Sequence, residues 1–284
     1  MEWIERLNNA VNYIEEHLSD EIDYEQAAKI ACCSVFHFQR MFSYIANVPL
    51  SEYIRLRRMA MAAVDLQSGE EKVIDVAIKY GYDSPTAFTR AFSNVHGITP
   101  SQAKADGVTL KAYPPVSFKI TIKGAAEMNY RIEKKNAFRI IGVAEPLAQD
   151  IEKNFEVVPQ MWQKIAMDGT LEKIAAMINK EPMGVLGVSV CIEKEEWRYF
   201  IAVASDQPLE EPFEEYTVPA ATWAIFRGEG TMPASIQELE KRIVTEWLPT
   251  SGYEYANAPD IELYLNAEPK NAKFEIWIPV TKKL

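Results

Sequence analysis

The stretch Ala77-Ile-Lys-Tyr-Gly-Tyr-Asp-Ser-Pro-Thr-Ala-Phe-Thr-Arg-Ala-Phe92 decides how the first third of the chain is read. Ser84 followed by Pro85 marks a helix start, because a serine oxygen can accept from a free backbone N–H there and proline suits the first helical position. Fifty positions earlier the chain says the same thing. Ala27 falls on Ala77, Ser34 on Ser84, Phe38 on Phe88 and Arg40 on Arg90; Phe42 falls on Phe92, Ser43 on Ser93 and Ser51 on Ser101. Each copy reads as a short helix, a tight turn near Cys33 or Asp83, and a second helix closing on Arg-x-Phe-Ser. A generic helical bundle does not account for seven identities in one register, so the pattern is a helix-turn-helix present twice.

Outward from that repeat, residues 1–105 read as helix after helix. Ile4, Leu7, Val11, Ile14 and Leu18 describe one buried face at helical spacing. Asp23 with Gln26 has the capping-box pattern, and Thr99-Pro100 repeats the serine–proline device. A long helix fits Leu50 to Leu66, about 25 Å at 1.5 Å per residue. From about residue 128 the period changes to strands: Tyr130-Arg-Ile, Arg139 to Val143, a hairpin from Gly187 to Val203, Tyr216-Thr-Val, and Thr222 to Phe226. Residues 155–167 and the face Ile236, Leu239, Ile243 and Trp247 read as helices, and Ile261–Leu265 with Phe274–Ile278 close the chain as a hairpin. The expected fold is α + (α+β). It has an all-α double helix-turn-helix over 1–105, a linker over 106–127, and a duplicated β-β-α-β-β domain over 128–284 with antiparallel sheets around a ligand cleft. The linker holds Pro114-Pro115 and a strand-like stretch from Val116 to Ile122.

Composition excludes several classes. The 284 residues are 48% hydrophobic and 25% charged, ordinary for a globular chain and unlike collagen, low-complexity disorder or a disulfide scaffold. Three cysteines, Cys32, Cys33 and Cys191, make no zinc ligand set and suit a reducing cytoplasm. No apolar run approaches a membrane span, and the acidic amphipathic start is no secretion signal. The chain is expected to be cytoplasmic, with no metal, no cofactor and no membrane partner.

Two reading helices held apart by a long helix can enter successive major grooves on one side of a duplex. The outer face of the first carries Phe36, Gln39 and Arg40, with His37 beside them; the second carries Thr86, Thr89 and Arg90. Arginine can bind guanine, and glutamine adenine, in bidentate fashion; an apolar ring can rest on a thymine methyl. His37 is either a phosphate contact or a plain surface histidine. Phe38, Met41, Phe42, Phe88 and Phe92 belong to the core. Charge opposes this reading: the chain carries −11, and residues 1–105 hold 10 Lys and Arg against 14 Asp and Glu. Eight of those acids lie within residues 1–25, whereas residues 36–58 carry Arg40, Arg55, Arg57 and Arg58 against Glu52 alone. The duplex-facing side is therefore expected to be locally positive, with modest nonspecific affinity.

These residues resemble the DNA-binding module of the AraC/XylS family of bacterial transcription regulators. Ser34-Val-Phe-His-Phe-Gln-Arg-Met-Phe resembles the family's first recognition helix, residues 77–92 its second unit, and Gly97-Ile-Thr-Pro100 its closing Gly-x-x-Pro. Cys32-Cys33 departs from the glycine–tyrosine pair that many members carry in the first turn. Trp247-Leu-Pro-Thr-Ser-Gly-Tyr, Asp260-Ile-Glu-Leu-Tyr and Glu275-Ile-Trp-Ile-Pro-Val resemble the GyrI-like effector-binding domain. The resemblance implies a regulator of transcription, an activator, that binds promoter double-stranded DNA and engages RNA polymerase.

Strand alternation sets Glu275 and Trp277 on one face of their strand, and Glu262 and Tyr264 on one face of theirs. If both carboxylates point between the halves of the duplicated domain, Trp162, Tyr216, Trp223 and Tyr253 surround them. A carboxylate among aromatics is costly unless a cation joins it, so such a site favours a lipophilic cation. Glu275 matches the family's buried glutamate; the competing reading is a solvated sheet face. Two alternatives stand beside the effector site: a surface that docks a protein, and a hydrolase of the GyrI-like fold. No Gly-x-Ser-x-Gly or His-Glu-x-x-His motif supports catalysis.

Overall fold

A computed structural model describes residues 2–119, 127–147, 151–193, 196–266 and 268–283. The chain divides into two compact units, Met1–Thr121 and Ile122–Leu284. No helix among the described residues is long and apolar enough to cross a membrane.

The first unit is helical: α1 (Glu2–Glu16), α2 (Tyr24–Ile30), α3 (Val35–Ala46), α4 (Leu50–Ser68), α5 (Val73–Lys79), α6 (Pro85–His96) and α7 (Pro100–Ala103). The repeat is visible in the caps. Ser34 accepts from His37 N–H at the start of α3, and Ser84 from Ala87 N–H at the start of α6. Both helices end on a left-handed residue, Asn47 at φ 53° and Gly97 at φ 80°, which ends a helix by turning its last carbonyls to new partners. Phe38, Phe42, Phe88 and Phe92 are all completely buried.

The register of the repeat needs one correction. Cys33 N–H bonds to Ala28 O and Tyr82 N–H to Ala77 O, each at 3.0 Å. The first helices of the two copies therefore match Ala28, not Ala27, with Ala77; Asp83 is the extra residue that restores the fifty-residue offset at Ser34 and Ser84. Cys32 occupies the position of Gly81 and adopts the same left-handed turn, φ 56° against 80°.

Two separate cores form. Leu7, Val11, Ile14, Leu18, Ala27, Phe38 and Phe42 build the first with Leu50, Tyr53 and Ile54. Val76, Ala77, Tyr80, Phe88, Phe92 and Val95 build the second with Met59, Ala62, Ala63 and Leu66. So α4, 19 residues and about 28 Å long, gives one half to each core. The stretch expected to be strand-like forms no strand over 116–119; linker residues 120–126 lie outside the described residues.

The second unit holds nine strands among the described residues: β1 (Tyr130–Lys135), β2 (Phe138–Pro146), β3 (Val185–Glu193), β4 (Glu196–Ala204), β5 (Glu214–Val218), β6 (Ala221–Gly230), β7 (Tyr253–Tyr255), β8 (Asp260–Tyr264) and β9 (Ala272–Lys282). All pairings are antiparallel, in the order β1-β6-β9-β8-β3-β4-β2-β5, with β7 on the end of β9. Helices α8 (Ile151–Met167), α9 (Thr170–Ala176) and α10 (Ala234–Arg242) complete it, α10 running into a π-helical turn at Ile243–Trp247. The strand–helix–strand order is thus present twice, as expected.

The sheet has two different faces. One carries Ile140, Leu186, Val188, Phe200, Trp223, Ile225, Ile261, Leu263 and Trp277, a core made of strand residues alone. Among the described residues, no helix residue belongs to this core. The other face takes the helices: Trp162 of α8 meets Tyr264 at 4.8 Å, and Trp247 meets Phe226 at 4.9 Å.

Candidate functional site

In the first unit six of the seven side chains expected to read DNA lie outside the buried core. Thr86 and Arg90 are exposed on α6, and Thr89 is half-buried. Phe36, Gln39 and Arg40 are half-buried on α3, at the same i, i+3, i+4 spacing, and the Arg40 guanidinium lies 5.7 Å from the Tyr44 ring centre. His37 is corrected: only 5% of it is exposed, and its Nδ1 lies 3.0 Å from Ser34 Oγ. It belongs to the cap of α3 and does not face a phosphate.

The expected local positive charge is also corrected. Arg55 forms a two-pronged pair with Glu52 on its own helix. Arg57 is buried against Glu15 of α1, and Arg58 donates to the carbonyls of Leu18 and Asp20. Three of the four arginines between 36 and 58 are therefore structural. Arg40 on α3 and Arg90 on α6 are the arginines of the two reading helices.

In the second unit the seven expected ligand residues do not converge. Glu262 pairs across the ladder with Ile276, and Leu263 with Glu275. Directly opposed residues share a face, so the one-residue offset places Glu262 and Glu275 on opposite sides of the sheet. Glu275 is 3% exposed and saturated. Arg131 grips both of its oxygens at 2.9 Å, Arg227 Nε donates to Oε1 at 2.9 Å, and Trp277 Nε1 donates to Oε2 at 3.0 Å. Burial raises its pKa, but these hydrogen bonds outweigh it and hold the carboxyl below its usual range. The cation that Glu275 requires is supplied by the protein, so its assignment as an effector site is withdrawn. Trp223, Trp277 and Tyr216 go with it: Trp223 and Trp277 are core residues with ring centres 6.1 Å apart, and Tyr216 packs beside them against Phe200.

Glu262 has a different environment. It is half-buried, and its Oε2 accepts from Tyr199 Oη at 2.9 Å and from Tyr264 Oη at 2.8 Å. Trp162 Nε1 donates to Tyr199 Oη at 3.2 Å, and its ring stands edge-on to Tyr264. Burial and then the Glu262 charge push the Tyr264 phenol well above its ordinary value, so it stays a donor. Among the described residues no arginine or lysine pairs with Glu262. Two further residues complete the site and escaped sequence reasoning. Tyr199 arrives from β4, 63 positions away. Gly187 of β3 lies opposite Glu262; a Cβ there would stand 2.1 Å from Tyr199 Oη and 2.9 Å from Glu262 Oε2. A glycine inside a strand is a signal for close approach of another group. Among the described residues no cluster of His, Cys, Asp and Glu could hold a metal ion.

A double helix-turn-helix of AraC type followed by a GyrI-like sheet domain is the architecture of a DNA-binding unit joined to an effector-binding unit. Residues 131–280 match the family of integron-associated effector binding proteins, Cass2, and the chain belongs to that family; residues 27–106 match the helix-turn-helix domain family. The HTH-type transcriptional activator AarP of Providencia stuartii is 39% identical over 89 residues, 31% of this chain and 66% of AarP. The right origin-binding protein of Escherichia coli K12 is 24% identical over 287 residues, covering 95% of this chain and 96% of that protein. A solved structure, SAV2435 bound to tetraphenylphosphonium, is 19% identical with TM-score 0.48 over 54% of this chain and 94% of that one. The chain spans from 34% to 89% of the lengths of four curated regulators that its first third matches.

Proposed function

We propose that the protein is a transcription regulator that reads promoter DNA with α3 and α6 and binds a lipophilic cation at Glu262. The observation that carries the effector half is a carboxylate with two phenols and an indole around it and, among the described residues, no arginine or lysine paired with it. An ionised carboxylate in aromatic surroundings is costly alone and is relieved by a partner that is both cationic and apolar. The DNA half rests on two helices of matched cap, spacing and core, carrying Phe36, Gln39 and Arg40 on one and Thr86, Thr89 and Arg90 on the other. We read the site as binding rather than catalytic, and the protein as a cytoplasmic activator that works with RNA polymerase, as its resemblance to AraC/XylS activators implies.

The test is a mobility shift on an operator recovered from a random duplex pool by the full chain. Arg40→Ala and Arg90→Ala are each expected to weaken specific binding by about tenfold, as loss of one bidentate base contact does. Tetraphenylphosphonium is expected to change operator affinity of the parent and not of Glu262→Gln. Parent-like DNA binding by both arginine variants contradicts the reading.

A further inference from the structure

We propose that residues 110–118 are a positioning strap that fixes the spacing of the two reading helices. The two cores of the first unit share no buried residue, and α4 is the helix that contributes to both. A single helix joining two small cores is a hinge unless something else crosses with it. The strap crosses with it. Leu110 and Tyr113 pack on the second core, while Val116 and Phe118 pack on the first. Phe118 stands edge-on to Phe42, with ring centres 5.7 Å apart.

Each end is also pinned by hydrogen bonds. On the α6 side, Lys111 N–H donates to His96 Nδ1 at 3.2 Å. At the junction of the two cores, Arg57 donates to Tyr113 O. Val116 N–H then donates to Tyr53 Oη at 3.1 Å. At the far end the Asn8 amide holds both backbone groups of Phe118, accepting from its N–H at 2.8 Å and donating to its carbonyl at 3.0 Å. That last pair satisfies both backbone groups of Phe118, as a neighbouring strand would. Arg57 is itself fastened to Glu15, so the strap is tied to α1, α4 and α6 together.

The inference rests on the DNA-binding reading but is tested separately. Operators carrying two extra base pairs between half-sites move the second groove by about 7 Å and turn it by about 70°, given about 34 Å and ten pairs per turn. The full chain is expected to lose about tenfold or more in affinity on such an operator, as for a badly mismatched site. Asn8→Ala and Phe118→Ala are expected to lose about threefold or less on the same change, while Phe118→Leu restores the parent's discrimination. A purely structural strap would lower thermal stability in these variants and leave spacing discrimination unchanged. If Phe118→Ala does not fold, Asn8→Ala decides. Parent-like spacing discrimination in a folded Asn8→Ala protein overturns the strap; a parent that binds no selected duplex overturns the DNA-binding reading and the strap with it.

Discussion

Glu262 and Glu275 lie on adjacent strands yet face opposite sides of one sheet, because Leu263 and not Glu262 stands across from Glu275. This single offset sorts two carboxylates of similar sequence context into different roles. Glu275 is neutralised by Arg131 and Arg227 on the face that carries the strand-residue core. Glu262 faces the helices and is held by two phenols.

Gly187→Ala is expected to disable the effector site. The new methyl collides with Tyr199 Oη, and the ring must leave Glu262 to make room. Overpacking of this kind costs about 1–3 kcal/mol. Urea denaturation measures the cost, and loss of tetraphenylphosphonium binding in protein that still folds measures the displacement. Parent-like binding by Gly187→Ala would remove Tyr199 from the site.

Cys32→Gly is expected to stabilise the first unit by about 1 kcal/mol, because a side chain in the left-handed region carries a steric penalty of that order. The equivalent Gly81 already shows the relaxed choice. The neighbouring Cys33 thiol is pushed up to about 12, first by burial and then by Cys32, so alkylation is expected to label Cys32 well ahead of Cys33. A lower melting temperature in Cys32→Gly would contradict the turn assignment.

Acid is expected to loosen the first unit through His96. Its Nε2 lies 3.1 Å from Met59 O and its Nδ1 accepts from Lys111 N–H, which requires the neutral ring. Burial first, with the Lys111 charge in the same direction, holds its pKa below the ordinary 6.5 against the opposing pull of the Met59 carbonyl. Above that value both folded and unfolded chains carry a neutral ring. Below it the unfolded chain binds the proton and the folded one does not, so stability is lost as pH falls from about 6.5 toward the depressed folded value. Melting curves at pH 7.5 and pH 5.5 are expected to differ more in the parent than in His96→Gln; an equal difference rejects the assignment.

What the sequence disclosed and what it hid divide along the distance between interacting residues. The repeat was legible because a cap serine and the phenylalanines four and eight positions after it lie within one helix, where spacing alone fixes the face. The helices α8 and α10 and every strand of the second unit but β7 were legible from period for the same reason; the short α9 and the three-residue β7 were not. The offset between Glu262 and Glu275 was not, since alternation within each strand says nothing about which residues pair across the ladder. Arg57 looked like a DNA-facing charge because its partner, Glu15, lies 42 positions away. Tyr199 was invisible at 63 positions from Glu262, although Gly187, alone in a run of strand-forming residues, was a readable hint that something approaches there.

Glu275→Gln is expected to cost the second unit about 2 kcal/mol, since hydrogen bonds from two arginines lose their charged acceptor, and to leave the effector site intact. Denaturation of the intact chain reads this out as a fall in the midpoint of the sheet unit alone. A stability equal to the parent's would show that the Arg131 and Arg227 contacts contribute nothing.

The most direct measurement is the quenching of tryptophan fluorescence by tetraphenylphosphonium in the full chain and in the two glutamate variants. Saturable binding is expected in the parent, with a loss of about tenfold or more in Glu262→Gln and parent-like affinity in folded Glu275→Gln. Affinity kept in Glu262→Gln and lost in folded Glu275→Gln would contradict an effector site at Glu262.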